Sequence, residues 1–241
     1  MRILVFQHIA AEHPGVFASF LDADGHVWDT VELDAGADIP DLDPYDMLLV
    51  MGGPMDVWEE DIHPWLVPEK AAIRRWVMSG KPYLGVCLGH QLLADALGGR
   101  VGPGAEAEVG LLPVTLTGEG RGDPLFQGVP DTGLCFQWHG AAVLELPAGA
   151  RVLARSDACP VQAIRVGQRA YGLQYHQEVT PAMVAAWGEI PVYAQSLEAV
   201  MGAGAMGALL AATDAHAPAL TASARVLYDN LMAIVAGPFN A

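Results

Sequence analysis

The chain has 241 residues, room for one large domain or a domain with an appendage, and its 52% hydrophobic content supplies ample core. Acids outnumber bases 28 to 12 for a formal charge of −16, a sign that repels phosphate backbones and anionic lipid and excludes nucleic acid and membrane surfaces as expected partners. The N-terminus turns polar too soon for a secretory signal and no apolar run approaches a membrane span, so a cytoplasmic protein is expected.

Residues 2–7 form a largely apolar run that predicts a strand buried on both faces, and 15–21 suit a following helix. Residues 26–33 alternate as a second strand. After a Pro- and Asp-rich turn at 39–44, residues 46–51 predict another buried strand running straight into Gly52-Gly53-Pro54. That rhythm predicts an α/β fold, a doubly wound, mostly parallel sheet whose ligands sit beyond the carboxyl ends of its strands. Residues 56–68 hold Trp58, Trp65, His63 and three consecutive acids, and read as a loop crossing the site before a helix from about Glu69 to Met78. Neither this loop nor the cysteines Cys87, Cys135 and Cys159 show metal-ligand spacing, so no metal, no cofactor and free thiols are expected.

Between residues 100 and 175 the rhythm changes to short runs at 109–116, 134–138, 151–154, 161–166 and 170–175, punctuated by Gly and Pro. These predict an antiparallel or mixed extension of the sheet. Pro181 opens a helix with Thr180 as its cap. Beyond Pro191 an Ala-, Gly- and Met-rich tail reads as two helices, 196–211 and 223–235, either packed on the sheet or offering Met201, Met206 and Met232 to a homodimer or partner face.

The stretch that carries chemistry is 82–98, Pro-Tyr-Leu-Gly-Val-Cys-Leu-Gly-His-Gln-Leu-Leu-Ala-Asp-Ala-Leu-Gly. A cysteine between Gly85 and Gly89, after a short apolar run and before a helical pattern, suits a nucleophile on a sharp strand-to-helix turn. The helix start directs free N–H groups and a positive dipole end at the sulfur. A cysteine nucleophile needs a base and a group to orient it. His176 ends a strand-like run with Glu178 two residues on, and residues two apart in extended backbone share a face, so Glu178 can hold the ring while its other nitrogen meets Cys87. The remaining histidines, His8, His13, His26, His63, His90, His139 and His216, lack an acid so placed and read as structural or solvent-facing. With His176 as base, the rate is expected to fall as the ring protonates in mildly acidic solution.

The segments Met-Gly-Gly-Pro-Met-Asp-Val (51–57), Gly-Val-Cys-Leu-Gly-His-Gln (85–91), Phe-Gln-Trp-His-Gly (136–140) and Gly-Leu-Gln-Tyr-His-Gln-Glu (172–178), with Asp123-Pro124-Leu125-Phe126 between them, resemble the class I glutamine amidotransferases. The chain is most similar to the stand-alone group akin to the amidotransferase domain of GMP synthetase. The resemblance implies a flavodoxin-like sheet for residues 1–190, with 191–241 a C-terminal helical extension packed on the same domain. It also implies roles: Cys87 as nucleophile, His176 as base, Glu178 as its orienting acid, and the N–H groups of Gly53 and Leu88 as the oxyanion hole. Met55, Gln91, Trp138, Gly140 and Ala141 would line the pocket for a glutamine chain. Gln177 stands where the family usually has proline, and Trp138 where many relatives that feed synthetases carry a small polar residue.

Three functions follow from this resemblance. The first is glutamine hydrolysis through a Cys87 thioester, with ammonia passed to a separate acceptor enzyme. The second is a γ-glutamyl peptidase or hydrolase acting on another small γ-glutamyl compound. The third is a non-catalytic scaffold that keeps the fold.

Overall fold

The apolar runs become strands where helices can cover both faces of a sheet. A computed structural model describes residues 1–237, in chain order β1 (Arg2–Gln7), α1 (Val16–Ala23), β2 (Val27–Glu32), β3 (Met47–Val50), α2 (Leu66–Met78), β4 (Tyr83–Val86) and α3 (Leu88–Ala96). There follow β5 (Arg100–Leu116), α4 (Gly118–Arg121), β6 (Thr132–Glu145), β7 (Ala150–Arg155), β8 (Ala163–Val166), β9 (Ala170–Leu173), α5 (Pro181–Gly188), α6 (Pro191–Met201) and α7 (Met206–Ala236). One nine-stranded sheet runs in the order β2-β1-β3-β4-β9-β8-β7-β5-β6. Its first four pairings are parallel and its last four antiparallel, so the expected mixed α/β sheet is present, with the antiparallel half built by strands 100–173.

Alternation along β1 divides the core. Ile3 and Val5 face one apolar cluster with Leu49, Val86 and, from α7, Leu227 and Leu231. Leu4 and Phe6 face a second with Val50 of β3 and, from the opposite helices, Ile73 and Leu92. A third cluster joins Phe136 and Trp138 of β6 to Trp187, Tyr193 and Leu209 of the last three helices.

Several boundaries differ from those the sequence predicts. β5 starts at Arg100 rather than 109, and β6 continues to Glu145. Gly102, Pro103 and Gly104 mask the strand, and the ladder tolerates them through a register shift between Pro103 and Glu108. α2 begins one turn early, at Leu66. In the tail, the break falls at Gly202 and Gly204, both at positive φ (88° and 75°), instead of between 211 and 223. Pro218, which lies in that expected gap, is carried inside α7. The expected extension to 241 ends, as far as it is described, at Gly237; residues 238–241 lie outside the described residues. Among the described residues no single helix is long and apolar enough to cross a membrane.

Backbone meets backbone closely at the β4–α3 junction. A Cβ on Gly89 would run into the carbonyl oxygen of Val50, and one on Gly85 into that of Gly89. Gly→Ala inside a helix ordinarily stabilises by up to about 1 kcal/mol. Here the added methyl meets backbone that cannot yield, so the Gly89→Ala variant is expected to be less stable by about 1–3 kcal/mol in urea-induced unfolding. An unchanged or raised midpoint would show that β3 and α3 can separate.

Candidate active site

Cys87 is the only residue between β4 and α3, so the chain must reverse direction at a single α-carbon. It does so at φ 51°, and among the described residues it is the one non-glycine with positive φ. Such a conformation costs on the order of 1–3 kcal/mol and persists where its surroundings over-determine it. Those surroundings are visible: the Cys87 N–H donates to the Leu173 carbonyl at 2.8 Å, the Gly89 N–H to Met51 at 3.1 Å, and the Tyr83 hydroxyl to the Gly89 carbonyl at 2.7 Å. The N–H of Leu88, first in the helix, has no intrahelical acceptor by geometry and lies at the elbow.

The bond to Leu173 attaches the elbow to the end of β9, and three residues later the same segment delivers His176. Its N–H donates to the Phe136 carbonyl at 2.8 Å, and its ring Nδ1 meets Glu178 Oε1 at 2.7 Å, both side chains being buried. The opposite side of the ring lies in hydrogen-bonding contact with the Cys87 side chain. Burial alone would lower the proton affinity of His176, but the Glu178 carboxylate and then Cys87 outweigh it and hold the ring well above the ordinary histidine value. The acid limb expected near the ordinary histidine pKa is therefore displaced upward. The other two cysteines have no such setting, as burial pushes Cys135 up to about 12 and Cys159 to about 11.

Cys87 opens onto a cavity of about 260 Å³ at the carboxyl ends of the strands. Gly53, Met55, Gln91, Trp138, Gly140 and Ala141 all line it. Gln91 is itself tethered, its Nε2 donating to the Ala141 carbonyl at 3.3 Å and to Gln174 Oε1 at 3.1 Å. Leu88 is buried, and its side chain does not line the cavity. From the 56–68 loop, Asp56 and Trp58 reach the cavity. Burial, with Glu59 adding, raises the Asp56 carboxyl above its usual range.

Two contributors escaped the sequence reading. One is α6, whose Val192, Tyr193 and Ser196 form a wall of the cavity; the Ser196 hydroxyl accepts from Trp138 Nε1 at 2.7 Å and locks that indole in place. The other is Glu12, buried after β1, whose Oε1 accepts from the Tyr193 hydroxyl at 2.6 Å. Burial raises the Glu12 carboxyl, while His176 and Tyr193 oppose that shift. Among the described residues, Glu12, His176 and Glu178 place donor atoms within 4.8 Å of one another, a grouping able in principle to hold a cation, though the Nδ1 and Oε1 atoms are already engaged by one another and by Tyr193. A signal for Glu12 existed: it lies in the loop that leaves the carboxyl end of the parallel strand β1. Of the histidines read as structural, His8, His90 and His139 are buried, and burial takes His90 down to about 3.

The arrangement can bind a small molecule against a thiol backed by a charged acid–base pair. The family model for class-I glutamine amidotransferases matches residues 25–184. The glutamine amidotransferase-like protein YfeJ of Salmonella typhimurium is 33% identical over 184 residues, 75% of this chain and 77% of that one. One of the subunits of the glutamine-hydrolyzing GMP synthase of Pyrococcus abyssi is 42% identical over 99 residues, 41% of this chain and 51% of that one, so the match spans about half of that relative. Among solved structures, a glutamine amidotransferase of Thermotoga maritima superposes with a TM-score of 0.86 at 28% identity, covering 98% of this chain and 99% of that one.

The charge state of His176 is open to direct measurement. With its affinity raised, the ring keeps its proton at pH values where an ordinary histidine, near 6.5, has lost it. The resulting stabilisation is complete below the ordinary value and is lost as pH rises through the raised one. In Glu178→Gln the largest raising influence is gone, so the ring Cε1 proton resonance should titrate at lower pH than in the wild type. Coincident titration curves would mean that Glu178 does not set the charge on the ring.

Proposed function

Because the chain belongs to the class-I glutamine amidotransferase family, we propose that it hydrolyses the γ-carboxamide of glutamine, or of a related γ-glutamyl compound, through a thioester on Cys87. The observation that carries this reading is the strained elbow that holds Cys87 against the His176–Glu178 pair at the floor of a cavity. Cys87, having given its proton to His176, attacks the amide carbon. The carbonyl oxygen takes up the electron pair as an oxyanion facing the N–H groups of Gly53 and Leu88. Collapse re-forms the carbonyl and breaks the C–N bond, and the His176 imidazolium protonates the departing ammonia. Water, deprotonated by the now neutral ring, attacks the thioester and releases glutamate and the Cys87 sulfur. Glu178 orients the ring and stabilises its charge throughout.

The relatives named as separate synthase subunits support a division of labour in which the ammonia passes to another protein carrying the acceptor chemistry. A second reading keeps the same chemistry with a larger leaving group. It is favoured by the wall that Trp138, Tyr193 and Ser196 build and by the carboxyl of Asp56 at the cavity, features suited to a γ-glutamyl peptide or amine.

Glutamate release from glutamine and from γ-glutamyl peptides, measured side by side, separates the two readings. In either case Cys87→Ala should lower kcat by at least about 10³-fold. A diazo-ketone analogue of glutamine should add to Cys87, as read by mass spectrometry. Absence of both turnover and adduct would leave the scaffold reading.

A further inference from the structure

A second histidine–carboxylate pair lies under the cavity and takes no part in the chemistry above. His8, at the end of β1, and Glu69, in α2, are both fully enclosed, with His8 Nε2 2.8 Å from Glu69 Oε1. The indole of Trp65 stacks on the imidazole at 5.4 Å between ring centroids, fixing its plane. On the other side, His8 Nδ1 lies 2.8 Å from the carbonyl oxygen of Gly52. A carbonyl only accepts, so Nδ1 must carry a hydrogen and donate it.

The acceptor belongs to a particular peptide unit. The bond that joins Gly52 to Gly53 carries the Gly52 carbonyl at one end and the Gly53 N–H at the other. Among the described residues every peptide is trans, so these two groups point in opposite directions. His8 therefore grips the far end of a rigid plane whose near end lies at the cavity that Cys87 also lines. Two consecutive glycines would otherwise let that plane rotate at low cost. A stiffer pair would crowd the site, since a Cβ on Gly52 would sit 2.5 Å from Glu12 Oε2 and one on Gly53 2.6 Å from Met55 Sδ, and both side chains would have to move. The constraint has to come from outside the loop.

We propose that His8 is a positioning residue: held by Glu69, it anchors the Gly52 carbonyl and thereby aims the Gly53 N–H at the oxygen that becomes charged when Cys87 adds to a carbonyl. This rests on the reading of Cys87 as the nucleophile. Hydrogen bonds in series polarise one another, so donation to the carbonyl also makes the Gly53 N–H a better donor. Glu69 is required because it fixes the ring from the other side.

The test compares three variants with the wild type. His8→Phe/Glu69→Leu replaces both partners by apolar groups, which spares the fold an unpaired buried charge. It should lose kcat for γ-glutamyl amide hydrolysis by about 10²–10³-fold, the usual effect of losing one oxyanion donor. KM and the rate of Cys87 alkylation by iodoacetamide, which builds no oxyanion, should stay as they are. His8→Asn places an amide donor near the position of Nδ1 and should recover most of the lost kcat. Wild-type kcat in the double variant would overturn the proposal, as would an equal loss of kcat and alkylation rate or no recovery with asparagine. If the double variant fails to fold, Glu69→Gln, almost identical in shape, carries the test through the amide proton resonance of Gly53. A shifted resonance is expected, and one unmoved from wild type overturns the relay. Should the wild type hydrolyse no γ-glutamyl amide, the proposed function fails, and the same resonance still decides whether His8 and Glu69 control this peptide.

Discussion

The bond from the Cys87 N–H to the Leu173 carbonyl couples the two halves of the site. It ties the strained turn carrying the sulfur to the strand that delivers His176, so neither can shift without the other. Parallel pairing of β4 with β9, from Tyr83 opposite Ala170 to Val86 opposite Leu173, sets the height at which both emerge. Gly85 and Gly89 let α3 approach close enough for the turn to be that abrupt. The local strain, on the order of 1–3 kcal/mol, is offset by main-chain hydrogen bonds at either side of the turn.

Around this junction the protein places an aromatic wall. Trp187 lies 4.6 Å from the His176 ring between centroids, Phe136 meets the same ring edge-on at 6.4 Å, and Trp138 and Tyr193 continue the cluster. Excluding water from the imidazole makes its desolvation costly, yet it also strengthens the attraction to Glu178. The second effect wins because the carboxylate is directly hydrogen-bonded at 2.7 Å.

The parallel half of the sheet was legible because β1, β3 and β4 are short apolar runs and β2 alternates, with β3 and the β4 elbow flanked by glycines. Cys87, His176 and Glu178 were legible because flanking glycines and a spacing of two are local signals. The first part of β5 was not, since Gly102, Pro103 and Gly104 break any strand pattern and only pairing with β6 restores it. Glu12 and Tyr193 lie 181 residues apart, and their contact is a product of the tertiary fold that no local spacing announces. His8 carries no chemical neighbour in sequence either; its partners Gly52 and Glu69 come from the ends of another strand and a helix.

The position of α6 has an implication for how selectivity can change. The family model matches residues 25–184, whereas Val192, Tyr193 and Ser196 lie beyond that stretch and line the same cavity as Cys87. One wall of the cavity is thus supplied by a helix that neither the elbow nor the His176–Glu178 pair belongs to. Substitution along a single exposed-to-cavity helix face could retune which leaving group fits while the elbow and the acid–base pair stay untouched.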